Sequence, residues 1–324
     1  MTTDTIFDLA SLTKVVATLP SILRLVDRGA LALDDHVGAV LPEFGSAGWK
    51  REVTIRRLLS HSSGLPAWLP FYLDHAGPEA YLAAISRAQP VAQPGERVIY
   101  SDLGFILLGE VVRRLSGLDI AHFAATEVFA SLGLGDTGYT PTASLQPRIA
   151  ATERGNETEI GMCGERAPAF PRWRRDIIWA EVNDGNSFYG LNGTAGHAGL
   201  FGTAADLARY GRLWLNGGTW QGRTMFRESL VTEATREQAL GRGLGWRVVP
   251  SSPIEGTTDP GAPLGPRAYG HTGFTGTSLW IEPERQLVVA LLTNRLHPIA
   301  RPEIEAIRPA FHAAIAAAIP KGSE

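Results

Sequence analysis

The chain has 324 residues, of which 44% are hydrophobic and 19% are charged, and its formal net charge is −3 at pH 7. This composition excludes an intrinsically disordered protein, and the charge gives no reason to expect a nucleic-acid-binding protein. The one cysteine excludes an intrachain disulfide framework, and no apolar run reaches the roughly 20 residues that a transmembrane helix needs. We therefore expect a folded protein of one large or two intertwined domains, without a membrane span.

Helical patterns dominate the first two thirds of the chain. Residues 11–28 carry a broad apolar face that ends at Gly29, and Pro20 predicts a bend within this helix. Asp102 could cap a long apolar helix over residues 103–115. Apolar spacing and capping signals predict the other helices at residues 31–41, 55–60, 78–87, 120–132, 204–215 and 227–237.

The periodicity fades between residues 146 and 196. A loop of this length within a compact domain is usually functional or disordered. This one contains Trp173, Trp179 and Tyr189, and its aromatic content favours an ordered segment. We expect this segment, with these aromatic residues, to wall a pocket.

The last third changes character. β-Branched and aromatic residues separated by turn signals predict strands at residues 244–250, 269–272, 276–282 and 287–293, followed by a helix at 303–319. Helices, then an antiparallel meander, then a terminal helix predict an α/β fold of the α+β type. We expect residues 1–45 to hold the first helix, 46–218 a mostly helical domain, and 219–324 the sheet and terminal helix, acting together as one unit.

Ser11 and Lys14 stand three residues apart at the start of the first predicted helix. At this spacing the two side chains share one helix face, with roughly 5–6 Å between their Cβ atoms. The lysine amine could then reach the serine hydroxyl, which needs a neighbouring base to become a nucleophile. The alternative is a capping serine beside a surface lysine, and the apolar Val15 and Val16 that follow argue against it.

Two further elements could complete this pair. Tyr100 stands just before a buried helix, where its phenol could project into a cleft, and a nearby ammonium would favour its phenolate. His271 precedes Thr272 and Gly273 at a strand whose edge could bind an extended substrate. The alternatives are a packed aromatic residue and an ordinary histidine at a strand end.

The sequence lacks the motifs of other catalytic chemistries. The sequence has no Gly-x-Ser-x-Gly elbow, no His-Glu-x-x-His pair and no Cys/His cluster with zinc spacing. It also has no P-loop and no Rossmann glycine pattern after a strand. We therefore expect neither a metal nor a cofactor. Of the remaining histidines, His61 is predicted to be structural, whereas the role of His197 stays open.

The three elements together resemble the serine β-lactamase and penicillin-binding protein superfamily, whose motifs are Ser-x-x-Lys, Ser/Tyr-x-Asn and Lys-Thr-Gly. The tyrosine resembles the branch of class C β-lactamases, D-alanyl-D-alanine carboxypeptidases and related esterases. Residues 7–14, 58–66, 196–201 and 270–276 also look like that branch. The resemblance spans nearly the whole chain and implies a β-lactamase/transpeptidase-like fold.

The resemblance implies that Ser11 forms an acyl-enzyme and that Lys14 and Tyr100 act as its base. Backbone N–H groups of Ser11 and Phe274 would form the oxyanion hole. The implied substrate-binding and oxyanion residues are Asp102, His271, Thr272, Gly273 and Phe274. The expected substrate is a small ester, or a D-amino-acid or peptidoglycan-like amide, with weak or no β-lactam hydrolysis. The alternative is a non-catalytic or weakly active module that binds penicillin or cell-wall peptide.

The sequence departs from the family pattern in three ways. His271 replaces the usual lysine and supplies less fixed positive charge for a substrate carboxylate. Asp102 replaces the usual asparagine, so it can only accept hydrogen bonds when ionised, and it would favour protonated Lys14 and shift the base role to Tyr100. Relatives carry a few dozen residues before the nucleophile, so we expect either a shortened sheet or a start assigned too late. As written, the chain has no signal peptide, although family members are often exported.

Overall fold

The computed structural model describes residues 1–250, 263–301 and 303–319 and shows a mixed α/β protein, which confirms the predicted fold class. In the described residues the helices are α1 (Leu19–Asp27), α2 (Val37–Val40), α3 (Ile55–Leu59), α4 (Pro78–Arg87), α5 (Asp102–Ser116), α6 (Ile120–Ala124), α7 (Ala130–Leu132), α8 (Glu157–Cys163), α9 (Ala204–Leu215), α10 (Glu228–Thr235) and α11 (Ile304–Ala318). The strands are β1 (Phe7–Asp8), β2 (Gly138–Tyr139), β3 (Leu200–Gly202), β4 (Thr219–Trp220), β5 (Arg223–Thr224), β6 (Arg247–Val248), β7 (Tyr269–Thr272), β8 (Ser278–Glu282) and β9 (Leu287–Leu291).

An antiparallel sheet in the order β6-β7-β8-β9 has a helix on each face. Side chains alternate between the two faces of a strand. On β8, Leu279 and Ile281 belong to the main core, and α9 packs against β8 and β9. Trp280 between them points to the opposite face, where it packs in a second cluster with Phe311 and Ile315 of α11. All five residues of β8 are buried, because helices cover both faces.

A second, smaller sheet in the order β1-β3-β2 joins segments far apart in the chain, since Phe7 pairs with Gly202 and Gly138 pairs with Phe201. The turn between β7 and β8 also fastens the segment before Ser11. The Thr275 hydroxyl donates to the Asp8 carbonyl at 2.7 Å, and the Thr277 hydroxyl donates to the Leu9 carbonyl at 3.1 Å. These bonds hold the segment that leads to Ser11 against the main sheet.

The segment around Ser11 and Lys14 is less regular than the predicted helix over residues 11–28. It runs through a 3₁₀ turn (Ala10–Leu12) and a π-helical turn (Lys14–Thr18) before α1 begins at Leu19. Pro20 is the second residue of α1, directly after the π-helical turn, where a missing N–H is tolerated, and the bend at Pro20 stays a prediction. π-Turns are common at functional sites.

Three other local predictions need correction. Ser101, and not Asp102, caps α5, with its hydroxyl accepting from the Gly104 N–H at 3.3 Å. The predicted loop over residues 146–196 contains α8 and several short helical turns. The first strand of the meander, predicted over residues 244–250, is limited to β6. Leu244 and Trp246 precede this strand and pack into the core.

The main hydrophobic core draws residues from all parts of the chain. Leu12, Val16 and Ile22 pack with Phe105 and Leu108 of α5, and the same cluster includes residues of α9, β7 and β8. Ser11 and Lys14 therefore sit at the junction of the helical region and the sheet. No helix in the described part of the chain is long and apolar enough to span a bilayer.

Gly211 on α9 allows the close approach of this helix to β9. A Cβ atom at this position would lie 2.4 Å from Val288 Cγ1 and 3.2 Å from Val288 Cβ. We expect Gly211→Ala to lower the free energy of unfolding by about 1–3 kcal/mol, because the overpacking outweighs the gain in helix propensity.

Denaturant titration at constant pH measures this effect. The matched control is Gly161→Ala on the exposed face of α8, where a Cβ would meet nothing within 4 Å. This control should raise the free energy of unfolding by about 0.5–1 kcal/mol. A stabilising Gly211→Ala would show that α9 and β9 are not held this closely.

Candidate active site

Ser11 and Lys14 are in direct contact. The Lys14 Nζ donates to the Ser11 Oγ at 3.0 Å, and the lysine side chain is fully buried. Ala10, just before the serine, has a positive φ of 47°, a conformation that costs energy for any residue but glycine. Its N–H donates to the buried Asp8 carboxylate at 2.8 Å, which helps to hold this strained turn.

Three acceptors surround the Lys14 ammonium. They are the Ser11 Oγ, the His197 carbonyl at 3.0 Å and the Asp102 Oδ1 at 2.7 Å. The Ser11 Oγ and the His197 carbonyl accept hydrogen bonds from the ammonium, and Asp102 forms an ion pair with it. Burial by itself would lower the pKa of Lys14, but the charges and hydrogen bonds of Asp102 and Tyr100 outweigh it, and the pKa is raised above its ordinary value. Lys14 is therefore a fixed cation at neutral pH.

Tyr100 lies between two cations. The Lys14 Nζ is 4.9 Å from the centroid of its ring, and the guanidinium carbon of Arg242 is 5.3 Å from it. On its other sides the ring contacts His61 and His271, with centroid separations of 4.5 and 5.7 Å. The Tyr100 ring therefore has two cationic side chains and two imidazole rings as its neighbours.

The two histidines beside Tyr100 are neutral. Burial lowers the pKa of His61 and of His271 well below the ordinary range, and the charges of Arg242 and Lys14 lower both further. The His61 Nδ1 accepts from the Ser101 N–H at 2.9 Å and so fixes the start of α5. The His271 Nδ1 lies 2.8 Å from the Thr272 carbonyl and, as a donor to it, leaves Nε2 unprotonated. Neither ring supplies positive charge at neutral pH.

A cavity of about 370 Å³ opens above these groups. Its lining includes the following predicted site residues: Ser11, Tyr100, Asp102, His271, Thr272, Gly273 and Phe274. Lys14 lies beneath this surface. On the sheet side the cavity is also lined by four arginines, which are Arg242, Arg247, Arg295 and Arg308. The Arg308 Nη2 donates to the carbonyls of Gly273 at 2.8 Å and Thr277 at 3.0 Å, and so braces the turn after β7.

The segment 146–196 walls the cavity, but not with its predicted aromatic residues. Trp173 and Tyr189 instead pack with Tyr72 and Phe170 in a separate cluster, and the Trp179 Nε1 donates to the Ile149 carbonyl. Edge-to-face contacts among these large rings bury more apolar area than a cavity wall would. The segment lines the cavity through Glu159, Met162, Asn183 and Asp184, and Trp68 supplies the aromatic surface.

Sequence reasoning missed several groups that surround Lys14. Asp184 lines the cavity, and its Oδ1 lies 2.9 Å from the Nε2 of His197. Ligand atoms of Asp102, Asp184 and His197 lie within 4.8 Å of one another, a set that could hold a cation. The Lys14 ammonium already lies 2.7 Å from Asp102 in this position. No periodic pattern links these residues, so only the folded chain reveals the set.

Glu159 is a buried carboxyl group at the cavity wall. Its Oε2 accepts from the Tyr72 hydroxyl at 2.9 Å, and its Oε1 accepts from the Gly185 N–H at 2.7 Å. Burial, aided by the charge of Asp184, raises the pKa of Glu159 to about 8. The folded protein therefore retains a proton that the unfolded chain loses near pH 4.5.

We expect Glu159 to make the free energy of unfolding fall as the pH rises from about 5 to about 8, by at most about 1.4 kcal/mol per pH unit. Glu159→Gln should flatten this part of the curve, because the amide does not titrate. Denaturant unfolding at pH 5, 6, 7 and 8 measures the slope. Glu165→Gln, an exposed residue in the same segment, is the control and should leave the slope unchanged. An identical slope in Glu159→Gln would contradict the assignment.

Comparison with known proteins identifies relatives over nearly the whole chain. The family model described as Beta-lactamase matches residues 1–314. A protein of Escherichia coli (strain K12), provisionally named a D-alanyl-D-alanine carboxypeptidase, is 34% identical over 321 residues, which cover 93% of this chain and 72% of the relative. The N-acetylmuramyl-L-alanine amidase of Bacillus subtilis (strain 168) is 35% identical over 320 residues, covering 94% of this chain and 71% of the relative.

A similar solved structure belongs to a protein of related name. A penicillin-binding protein homologue from Caulobacter crescentus superposes with a TM-score of 0.67 at 26% sequence identity, covering 96% of this chain and 84% of that one. The resemblance predicted from the three motifs is thereby confirmed. The chain belongs to the beta-lactamase family and is a hydrolase of that family.

Proposed function

We propose that the protein is a serine hydrolase that forms an acyl-enzyme on Ser11. One observation carries the proposal: a fully buried Lys14 donates to the Ser11 Oγ at 3.0 Å at the floor of a cavity that Tyr100 also lines. Burying a charged lysine costs several kcal/mol unless it is compensated. A purely structural role gives no reason to hold that charge against a hydroxyl that lines a cavity.

Tyr100 is the proposed general base. Because Lys14 donates to the Ser11 Oγ, the serine must send its own proton to another acceptor. Tyr100 lines the same cavity and lies between the charges of Lys14 and Arg242. During acylation the phenolate takes the Ser11 proton as Oγ attacks the substrate carbonyl, and it then returns the proton to the leaving group. In deacylation the same phenolate activates water.

The oxyanion of the tetrahedral intermediate is proposed to bind the N–H groups of Ser11 and Phe274. Both residues line the cavity, and the segment before Ser11 is tied to the turn after β7 through Thr275 and Thr277. These hydrogen bonds keep the distance between the two N–H groups and their orientation constant. Oxyanion donors fixed before the reaction stabilise developing charge without reorganisation, and each is worth about 10²–10³ in rate.

The proposed substrate is a small ester, or a D-amino-acid or peptidoglycan-like amide. The cavity of about 370 Å³ suits a small molecule. The four arginines on its sheet side favour a substrate with a carboxylate, a charge that neutral His271 does not attract. The names of the two curated relatives favour amides, whereas Asp102, which cannot donate to a substrate carbonyl while ionised, favours esters.

The first test compares the wild type with Ser11→Ala and Tyr100→Phe on p-nitrophenyl butyrate, nitrocefin and a D-alanyl-D-alanine peptide. We expect Ser11→Ala to lower turnover by at least about 10³-fold and Tyr100→Phe to lower it by about 10²–10⁴-fold. Intact-protein mass spectrometry should show an acyl adduct on the wild type that Ser11→Ala lacks. Labelling by penicillin without turnover of any substrate would favour the binding module instead.

The second test concerns Asp102. Asp102→Asn removes the ion pair with Lys14 and introduces an amide that can donate to a substrate carbonyl. We expect the ratio of ester to amide turnover to fall, and the pKa of Lys14 to fall with the loss of the neighbouring charge. Kinetics on matched ester and amide substrates measure the ratio.

Asp119→Asn is the control for Asp102→Asn. Asp119 caps α6 by accepting from the His122 N–H at 2.8 Å, and asparagine caps equally well, so activity should not change. An ester-to-amide ratio in Asp102→Asn equal to that of the wild type would refute the proposed role of Asp102 and leave that of Ser11 intact.

A further inference from the structure

An aspartate–histidine pair lies next to Lys14, with the histidine buried and the aspartate at the cavity wall. The His197 ring is 1% exposed, and its Nε2 lies 2.9 Å from the Asp184 Oδ1. The backbone carbonyl of the same histidine accepts from the Lys14 Nζ at 3.0 Å. The residue thus contacts the acid with its side chain and the catalytic lysine with its main chain.

The main chain around His197 is fastened to the segment that carries Ser11 and Lys14. The Thr18 hydroxyl donates to the Gly196 carbonyl at 2.6 Å, and the Leu200 N–H donates to the Thr13 hydroxyl at 3.1 Å. These two bonds flank the His197 carbonyl on either side. Between them, the ring contact with Asp184 fixes the rotation of the peptide that presents the carbonyl to Lys14.

Asp184 is itself held in place. Its Oδ1 also accepts from the Ser187 N–H at 2.7 Å, at the start of a π-helical turn. Burial opposes the ionisation of Asp184, but His197, the Ser187 N–H and the charge of Lys14 outweigh it, so its pKa is lowered. The pair therefore places an ionised carboxylate near the ammonium, with its ligand atom within 4.8 Å of those of Asp102 and His197.

We infer that Asp184 and His197 are positioning residues that hold Lys14 against Ser11, with Asp184 orienting the His197 ring and the His197 carbonyl orienting the ammonium. This inference rests on the proposed function. The ammonium pairs with Asp102 and donates to the His197 carbonyl and to the Ser11 Oγ, so the position of the His197 carbonyl bears directly on the contact with the serine. Without the pair, the ammonium could turn away from the serine although Asp102 still binds it.

Kinetics of three variants test this role. We expect His197→Ala and Asp184→Asn to lower kcat by about 10- to 100-fold, because a misplaced catalytic group costs that much, with KM changed by less than about threefold. His197→Gln should recover most of kcat, since its side-chain amide can donate to Asp184 as the imidazole does. A purely structural histidine would give no such rescue and would lower thermal stability in proportion to activity.

The control is a second pair of the same chemistry at the surface. The His122 Nδ1 lies 2.8 Å from the Asp119 Oδ1, and the His122 side chain is 74% exposed. His122→Ala should leave kcat and KM at the wild-type values. Wild-type kcat in His197→Ala, or equal losses in His197→Ala and His197→Gln, would overturn the inference.

A readout that does not depend on turnover separates this inference from the proposed function. The sequence contains three lysines, so ¹³C NMR of protein labelled at the lysine ε-carbon can follow Lys14 directly. We expect the Lys14 signal to move and its pKa to fall in Asp184→Asn, and to stay unchanged in His122→Ala. Absence of Ser11-dependent turnover in the wild type would refute the proposed function, whereas an unmoved Lys14 signal in Asp184→Asn and His197→Ala would refute the positioning role.

Discussion

The burial of the Lys14 ammonium is the constraint on which the site depends. A charge removed from water costs several kcal/mol unless good hydrogen-bonding partners replace the solvent. The partners come from the same turn and from two distant parts of the chain: Ser11 from the turn itself, Asp102 from the start of α5, and the His197 carbonyl from the loop before β3. Each of these segments must be in place for the buried lysine to be tolerated, so the fold and the site stabilise each other.

The same constraint explains the division of roles around the cavity. In the proposed mechanism, Lys14 supplies positive charge and holds the serine through its hydrogen bond to Oγ, and Tyr100 takes the serine proton. Neutral His61 and His271 pack beside the phenol without adding charge, since burial keeps both unprotonated. Under the proposed function, arginines that line the cavity supply the positive charge that a lysine in the third motif would supply.

Features of short range could be predicted from the sequence. Thr54 and Thr203 cap their helices and Gly117 ends α5 in the left-handed conformation, as local propensities require. The prediction of the α5 cap failed because two neighbouring residues are about equally good capping residues. Ser101 and Asp102 can both cap a helix. Ser101 caps α5, and its hydroxyl also donates to the Pro66 carbonyl, whereas Asp102 forms an ion pair with Lys14.

The sequence by itself determined the family, the helix-then-meander order and the adjacency of Ser11 and Lys14, because residues three apart on a helical turn must meet wherever that turn lies. Only the tertiary structure decided which distant groups complete the site. Asp184 pairs with His197 beside Lys14, the guanidinium of Arg242 lies over the ring of Tyr100, and Trp173 and Tyr189 of the segment 146–196 pack in a cluster apart from the cavity. These contacts depend on how the helices and the sheet pack around one core. This packing is a property of the whole chain and cannot be predicted from a local sequence pattern.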